Sequence, residues 1–257
     1  MNSWTRRQLL LRSSILTAAG LAVSAQGPDL PAKTRPRKVL VAGAHPDDPE
    51  SGCGGTIARY VERGHNVVVL YLTRGEAGIQ GKSPQEAAAI RSAEAKKACA
   101  ILNARPLFAG QIDAATEVTP SRYDAFRKIL QAEKPEVVFT HWPIDTHPDH
   151  RACSLLVYDA WLKTGRKFAL YYFEVNLGAQ TQCFRPTHYV DITTTEPRKR
   201  EACLAHASQQ AATGFYPTYH VKMHQHRGME SGFRLAEAFV HHEQSPYGRL
   251  PDDEPSA

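Results

Sequence analysis

The chain has 257 residues, 42% of them hydrophobic and 22% charged, and a net charge of +5. That is the make-up of a globular chain long enough to bury a sizeable core, and it excludes a disordered or membrane-embedded one. Arg6, Arg7 and Arg12 supply much of the positive surplus before any fold-forming pattern begins, and no basic stripe follows, so nucleic-acid binding has no electrostatic footing.

The first segment reads as an address. Thr5-Arg6-Arg7-Gln8-Leu9-Leu10 is similar to a twin-arginine export signal, Ile15 to Val23 is apolar, and Val23-Ser24-Ala25 suits a signal peptidase. The apolar stretch is shorter than the roughly 20 residues of a membrane span. Residues 1–25 are therefore expected to be removed, leaving no stable span and a periplasmic or extracellular protein. Residues 26–38, rich in Pro and basic residues, read as a linker, and 39–257 as a single domain.

Within that domain, apolar runs and helical patterns alternate. Strands are expected at Val39 to Gly43, Val67 to Leu72, Pro106 to Ala109 and Val137 to Thr140. Helices are expected at Gly52 to Arg63, Pro84 to Asn103, Pro120 to Glu133 and His150 to Lys163. Four such alternations predict a three-layer α/β fold with a mostly parallel sheet. Beyond Phe168 the pattern loosens: strands at Ala169 to Val175 and His188 to Ile192, a helix at Glu196 to Gln210, and a last strand near Ala238 to His242. The five cysteines include no CxxC pair, and Cys99, Cys153 and Cys203 fall in helical patterns as small buried hydrophobes.

Two clusters carry the chemistry. Ala44-His45-Pro46-Asp47-Asp48-Pro49-Glu50 follows the first strand, and Asp145-Thr146-His147-Pro148-Asp149-His150 follows the fourth. In open α/β sheets, ligands bind at the carboxyl ends of strands, so the topology brings together what the sequence separates. His45, Asp48 and His150 offer two imidazoles and a carboxylate, a catalytic zinc set with an open position, although another divalent ion such as Fe2+ also suits it. Asp47 is left over as a general base. His147 is placed to stabilise an oxyanion, especially if protonated, with Asp149 orienting it. Gly52-Cys53-Gly54-Gly55 lacks the spacing of a dinucleotide loop. His220, His224 and His226 have no carboxylate partners and read as a surface cluster, while His206 and Gln209 are candidates either to line the pocket or to lie on a helix surface.

The paired motifs resemble those of the LmbE-like, or PIG-L, superfamily of metal-dependent N-deacetylases. Further likeness lies in Gly52 to Thr56, Thr73 to Gly78, Arg91, Glu94 and His206 to Gln209. The resemblance implies a Rossmann-like fold, zinc on His45, Asp48 and His150, Asp47 as base, and His147 backed by Asp149. It also implies substrate binding by Arg74. The reaction expected is removal of acetyl from an N-acetylated sugar or glycoconjugate of N-acetylglucosaminyl type. A hydrolase of a non-sugar amide and a non-catalytic exported binder of metal or sugar are the alternatives. A pure binder has no need of the spare carboxylate of Asp47.

Overall fold

The computed structural model describes residues 35–175, 179–210, 216–248 and 250–251. The expected signal segment lies outside them. The end of the expected linker does not: Arg35 pairs with Glu136 at 2.6 Å, and the first strand already begins at Lys38.

Seven strands form one sheet. They are β1 (Lys38–Gly43), β2 (Asn66–Tyr71), β3 (Arg105–Phe108), β4 (Val137–His141), β5 (Ala169–Phe173), β6 (His188–Asp191) and β7 (Ala236–His241), in the order β3-β2-β1-β4-β5-β7-β6. β1 to β5 run parallel, while β7 lies antiparallel to both β5 and β6. Alternate residues of the central strands face opposite layers, the period of two that a strand imposes. Val39, Val41, Val69, Tyr71 and Phe139 enter one core cluster, and Leu40, Ala42, Leu70 and Val138 enter the other. The first is covered by α1 (Asp48–Glu62), α2 (Pro84–Leu102) and α5 (Glu196–Leu204), the second by α3 (Pro120–Glu133) and α4 (Pro148–Lys163). The chain is thus a three-layer α/β protein.

Chain order reverses between β1 and β4, which are neighbours although two strands separate them in sequence. This is the switch point at which doubly wound sheets open a crevice. The loops leaving β1 and β4 carry the two motifs to it.

Both following helices begin earlier than the sequence pattern suggests. α1 starts at Asp48, with Asp47 at the N-cap, and α4 at Pro148, with His147 at the N-cap. Each carries a proline in its first turn, where a missing N–H costs nothing. Asp48, Glu50 and Asp149 lie in those first turns, at the positive end of the helix dipole. The expected helix Glu196 to Gln210 is broken: α5 ends at Leu204 and a short α6 covers Ala207–Gln210. The break turns His206 fully inward.

The C-terminal part departs most from expectation. A π-helical turn at Tyr216–His220 leads into α7 (Val221–Ser231), which the hydrophobic pattern does not announce. Its buried face is Met223, His224, Arg227 and Gly228, mostly polar. His220 and His224 are accordingly buried rather than part of a surface cluster, and only His226 is exposed.

The glycines of α1 are explained by packing. A Cβ at Gly52 would lie 2.4 Å from the Phe173 ring, one at Gly54 2.8 Å from Lys199, and one at Gly55 2.5 Å from Ile192. Lys199 and Glu237 form a fully buried ion pair against this face. The Lys199 ammonium donates to the Ser51 carbonyl (2.7 Å), and the Glu237 carboxylate accepts from the Gly55 and Thr56 N–H groups (2.9 and 2.8 Å). Lys199→Met strands a buried carboxylate, so urea unfolding should show a loss of about 3–5 kcal/mol. A loss under about 1 kcal/mol would mean that Glu237 is satisfied by the backbone alone.

Candidate metal centre and active site

Asp48 sits at the centre of the crevice. Its Oδ2 accepts the His45 N–H (2.7 Å) and lies 3.2 Å from His45 Nδ1, 3.3 Å from His150 Nε2 and 3.3 Å from His141 Nε2. Two ligands on a tetrahedral zinc at about 2.0–2.2 Å are separated by roughly 3.3 Å. His45 and His150 thus each lie at ligand-pair spacing from Asp48 Oδ2, and the groups of three whose atoms all lie within 4.8 Å of one another join Asp48 and His150 with His141, and His45 and His150 with His147.

The outer nitrogens strengthen the fit. His45 Nε2 faces Asp113 Oδ1 (3.1 Å) and Asp149 Oδ2 (3.2 Å), and His150 Nδ1 faces Asp145 Oδ1 (3.2 Å). A carboxylate only accepts, so these nitrogens carry the hydrogens. His45 Nδ1 and His150 Nε2 face Asp48 Oδ2 in turn, and a cation bound there would take the place of a proton on each while the outer carboxylates hold the rings, the usual carboxylate–histidine–metal arrangement. His141 is different. Its Nε2 accepts the Ala44 N–H at 3.0 Å, and its ring stacks on His150 with centroids 3.9 Å apart. Burial, helped by the neighbouring His150, lowers its pKa to about 4. It is a neutral ring behind His150 that shares Asp48 Oδ2 with the two expected histidines.

These facts set the pH behaviour. Burial alone would lower the His150 pKa, but Asp48 and Asp145 outweigh it and raise the value to about 9. In the same way Asp113, Asp149 and Asp48 outweigh burial and raise that of His45 well above its ordinary value. Both shifts favour the protonated rings in the metal-free site, and a metal must displace whatever protons they hold. Zinc loading at pH 7 should release protons, and affinity should fall as pH drops. Calorimetric titrations in buffers of different ionisation enthalpy read this directly; zero release would show that the rings were neutral beforehand.

Asp47 stands apart from the metal groups. One atom each from His45, His147 and His150 lie within 4.8 Å of one another, as do atoms of Asp48, His141 and His150, and those of His45, Asp113 and Asp149; Asp47 is in none of these groups. Its backbone has φ 113°, a conformation that L residues rarely adopt, and its side chain makes no cap bond. Instead its carboxylate pairs with Arg91 Nη2 at 3.2 Å, and the same nitrogen donates to the Pro46 carbonyl at 2.5 Å. Burial raises the Asp47 pKa, Arg91 opposes, and Asp48 adds to the rise. A carboxylate with a raised pKa is a better base near neutrality. Arg91 needs the loop after β2 to be bare: a Cβ at Gly75 or Gly78 would fall 2.5 or 2.2 Å from its side chain.

His147 caps α4, its Nδ1 accepting from the Asp149 N–H at 3.3 Å. Burial, then the nearby His45 and His150, lowers its pKa. It is therefore a neutral ring with hydrogen on Nε2, a donor without a positive charge. Asp149 does not orient it through its carboxylate. That carboxylate accepts from Thr116 Oγ1 (2.6 Å) and the Ala114 N–H (2.9 Å) and turns to His45. The guanidinium of Arg74, expected to bind substrate, lies over the Phe108 ring, 5.6 Å from the centroid, and Arg91 is among the residues that line the crevice.

The crevice has a volume of about 430 Å³. His45, Asp47, Asp48, His147 and His150 line one part, and Arg91, Asp113, Gln180, Gln209, Ser51 and His220 much of the rest. Gln209 thus reaches the crevice, whereas His206 lies behind it beside Glu50. Asp113 and Asp145 were missed as functional residues. Asp145 opens the second motif and so had a signal. Asp113 sits in a loop between β3 and α3 with none.

A family model described as PIG-L, GlcNAc-PI de-N-acetylase, matches residues 40–161. The chain is 29% identical over 219 residues to a diacetylchitobiose deacetylase of Thermococcus kodakarensis, covering 78% of this chain and 81% of that one. It is 30% identical over 186 residues to a probable N-acetyl-alpha-D-glucosaminyl L-malate deacetylase 2 of Bacillus anthracis, covering 68% and 82%. Among solved structures, a conserved protein of Thermus thermophilus superposes with a TM-score of 0.71 at 30% identity, covering 82% of this chain and 97% of that one. With the two motifs converging at the switch point of the same fold, the chain belongs to the PIG-L, or LmbE-like, superfamily and is a hydrolase of the N-deacetylase type.

Proposed function

We propose that this protein removes the acetyl group from an N-acetylated sugar or glycoconjugate of N-acetylglucosaminyl type, with zinc held by His45, Asp48 and His150. The observation that carries the reading is the spare, Arg91-held carboxylate of Asp47 beside that donor set. The sugar is supported by the two curated relatives, whose names both point to N-acetylglucosamine derivatives. It is also supported by the charged and amide groups of Arg91, Asp113, Gln180 and Gln209 in the crevice, which suit hydroxyl groups.

The ion, when bound, polarises the amide carbonyl and makes water acidic. Asp47 takes the proton of the attacking water and returns it to the nitrogen, which then departs as an amine. Arg91 fixes the orientation of that carboxylate through the cycle. His147 donates its Nε2–H to the oxygen on which negative charge develops, an interaction stronger in the transition state than in the ground state. His147→Ala should lower kcat on the order of a hundredfold with KM and metal content little changed, and loss of metal would instead place His147 among the ligands, since its ring atom lies within 4.8 Å of those of His45 and His150. Lowered stability with normal kinetics would leave it only the cap role that its Nδ1 already shows.

The purified, zinc-loaded protein should release acetate from N-acetylglucosamine, its β-linked dimer or an N-acetylglucosaminyl conjugate. Acetate from non-sugar amides alone would sink the sugar, and no acetate from any amide with metal bound would sink the reaction.

A further inference from the structure

The wall of the crevice facing α7 has no part in the chemistry above. It is built from Ser51, in the first turns of α1, and His220, at the end of the π-helical turn, two residues 169 apart in sequence. Ser51 Oγ hydrogen-bonds His220 Nε2. The His220 ring also lies parallel to Tyr216, with centroids 5.1 Å apart and planes at 6°, and Tyr216 is itself held by Glu196 at 3.0 Å. Ser51 is fixed from behind, because its carbonyl takes the buried Lys199 ammonium. His220 is only 3% exposed, yet it lines the crevice.

A polar ring clamped on one edge and one face, and presented to a cavity, is preorganised for recognition. The base side of the crevice carries the charges, with Arg91, Asp47 and Asp113. Ser51 and His220 offer a hydroxyl and an imidazole, and such groups pair with hydroxyls or a neutral amide.

We propose that His220, held by Ser51, is a specificity-determining contact for the hydroxylated ring that bears the scissile acetamide. The inference rests on the sugar reading above and adds the residue that selects the ring. A contact of this kind acts on ring-bearing substrates and leaves a minimal amide untouched.

The test is a cycle of two truncations, one in the enzyme and one in the substrate. His220→Ala and wild type are compared on N-acetylglucosamine and on N-acetylethanolamine, which keeps the acetamide and lacks the ring. The expected result is a kcat/KM about tenfold lower on the sugar, the weight of one well-made hydrogen bond, with the ethanolamide and the zinc content unchanged. His220→Gln, which can still bond Ser51, should keep most of the preference and guards against a folding artefact. Equal losses on both substrates, or no loss on either, overturn the proposal. Should wild type hydrolyse no acetylated sugar, the reaction reading fails by itself. The subsite is then read from calorimetric binding of N-acetylglucosamine: weaker binding to the variant supports it, and equal or absent binding overturns it.

Discussion

Asp47→Asn should abolish most turnover while leaving the metal in place. The substitution preserves size and can keep a hydrogen bond to Arg91 through the amide oxygen, but it removes the basic oxygen. The expected fall in kcat is about 10²–10⁴-fold, the usual weight of a general base. Zinc content should match wild type, because Asp47 belongs to none of the candidate metal groups. Thermal unfolding should show at most a modest loss of stability, since the Asn oxygen can still accept from the buried Arg91 guanidinium. Normal turnover in this variant would assign the proton to another group, and loss of zinc would place Asp47 among the ligands.

His150→Ala should lose the metal itself. Its Nε2 lies 3.3 Å from Asp48 Oδ2, and its Nδ1 is tied to Asp145. Removal of an outer partner of a metal-bound histidine costs about 10–100-fold in affinity. Asp145→Asn should fall in that range, and His150→Ala should exceed it, with activity lost at any zinc level that saturates wild type. Elemental analysis after gel filtration separates the two. Retention of zinc by His150→Ala would sink the ligand set, and His141 would then be the first replacement to examine, since it shares the same oxygen.

Much of this site was legible in the sequence for a topological reason. Short apolar runs alternating with helical patterns give parallel strands, parallel strands put their following loops on one edge, and a motif after each of two strands must then converge if those strands are neighbours. The motifs supplied the donors, and local spacing around Pro46 and Pro148 supplied their direction. What reads poorly is polar burial. α7 buries His224 and Arg227 in place of an apolar stripe, so hydrophobic periodicity gave no sign of it, and His220 read as part of a surface cluster.

The sequence by itself determined the α/β class and the two motifs at the ends of β1 and β4, which bring His45, Asp48 and His150 into one crevice. Only the tertiary structure decided which groups stand behind them. Asp113 turned to His45, Asp149 turned to His45 and away from His147, Arg91 paired with Asp47, and Ser51 met His220. Each of these is a contact between side chains from different loops or elements, and no helical or strand period relates such residues along the chain. Their partners are chosen by the cost of leaving a charge or hydrogen-bonding group unpaired in a buried place, and that cost exists only once the layers have closed.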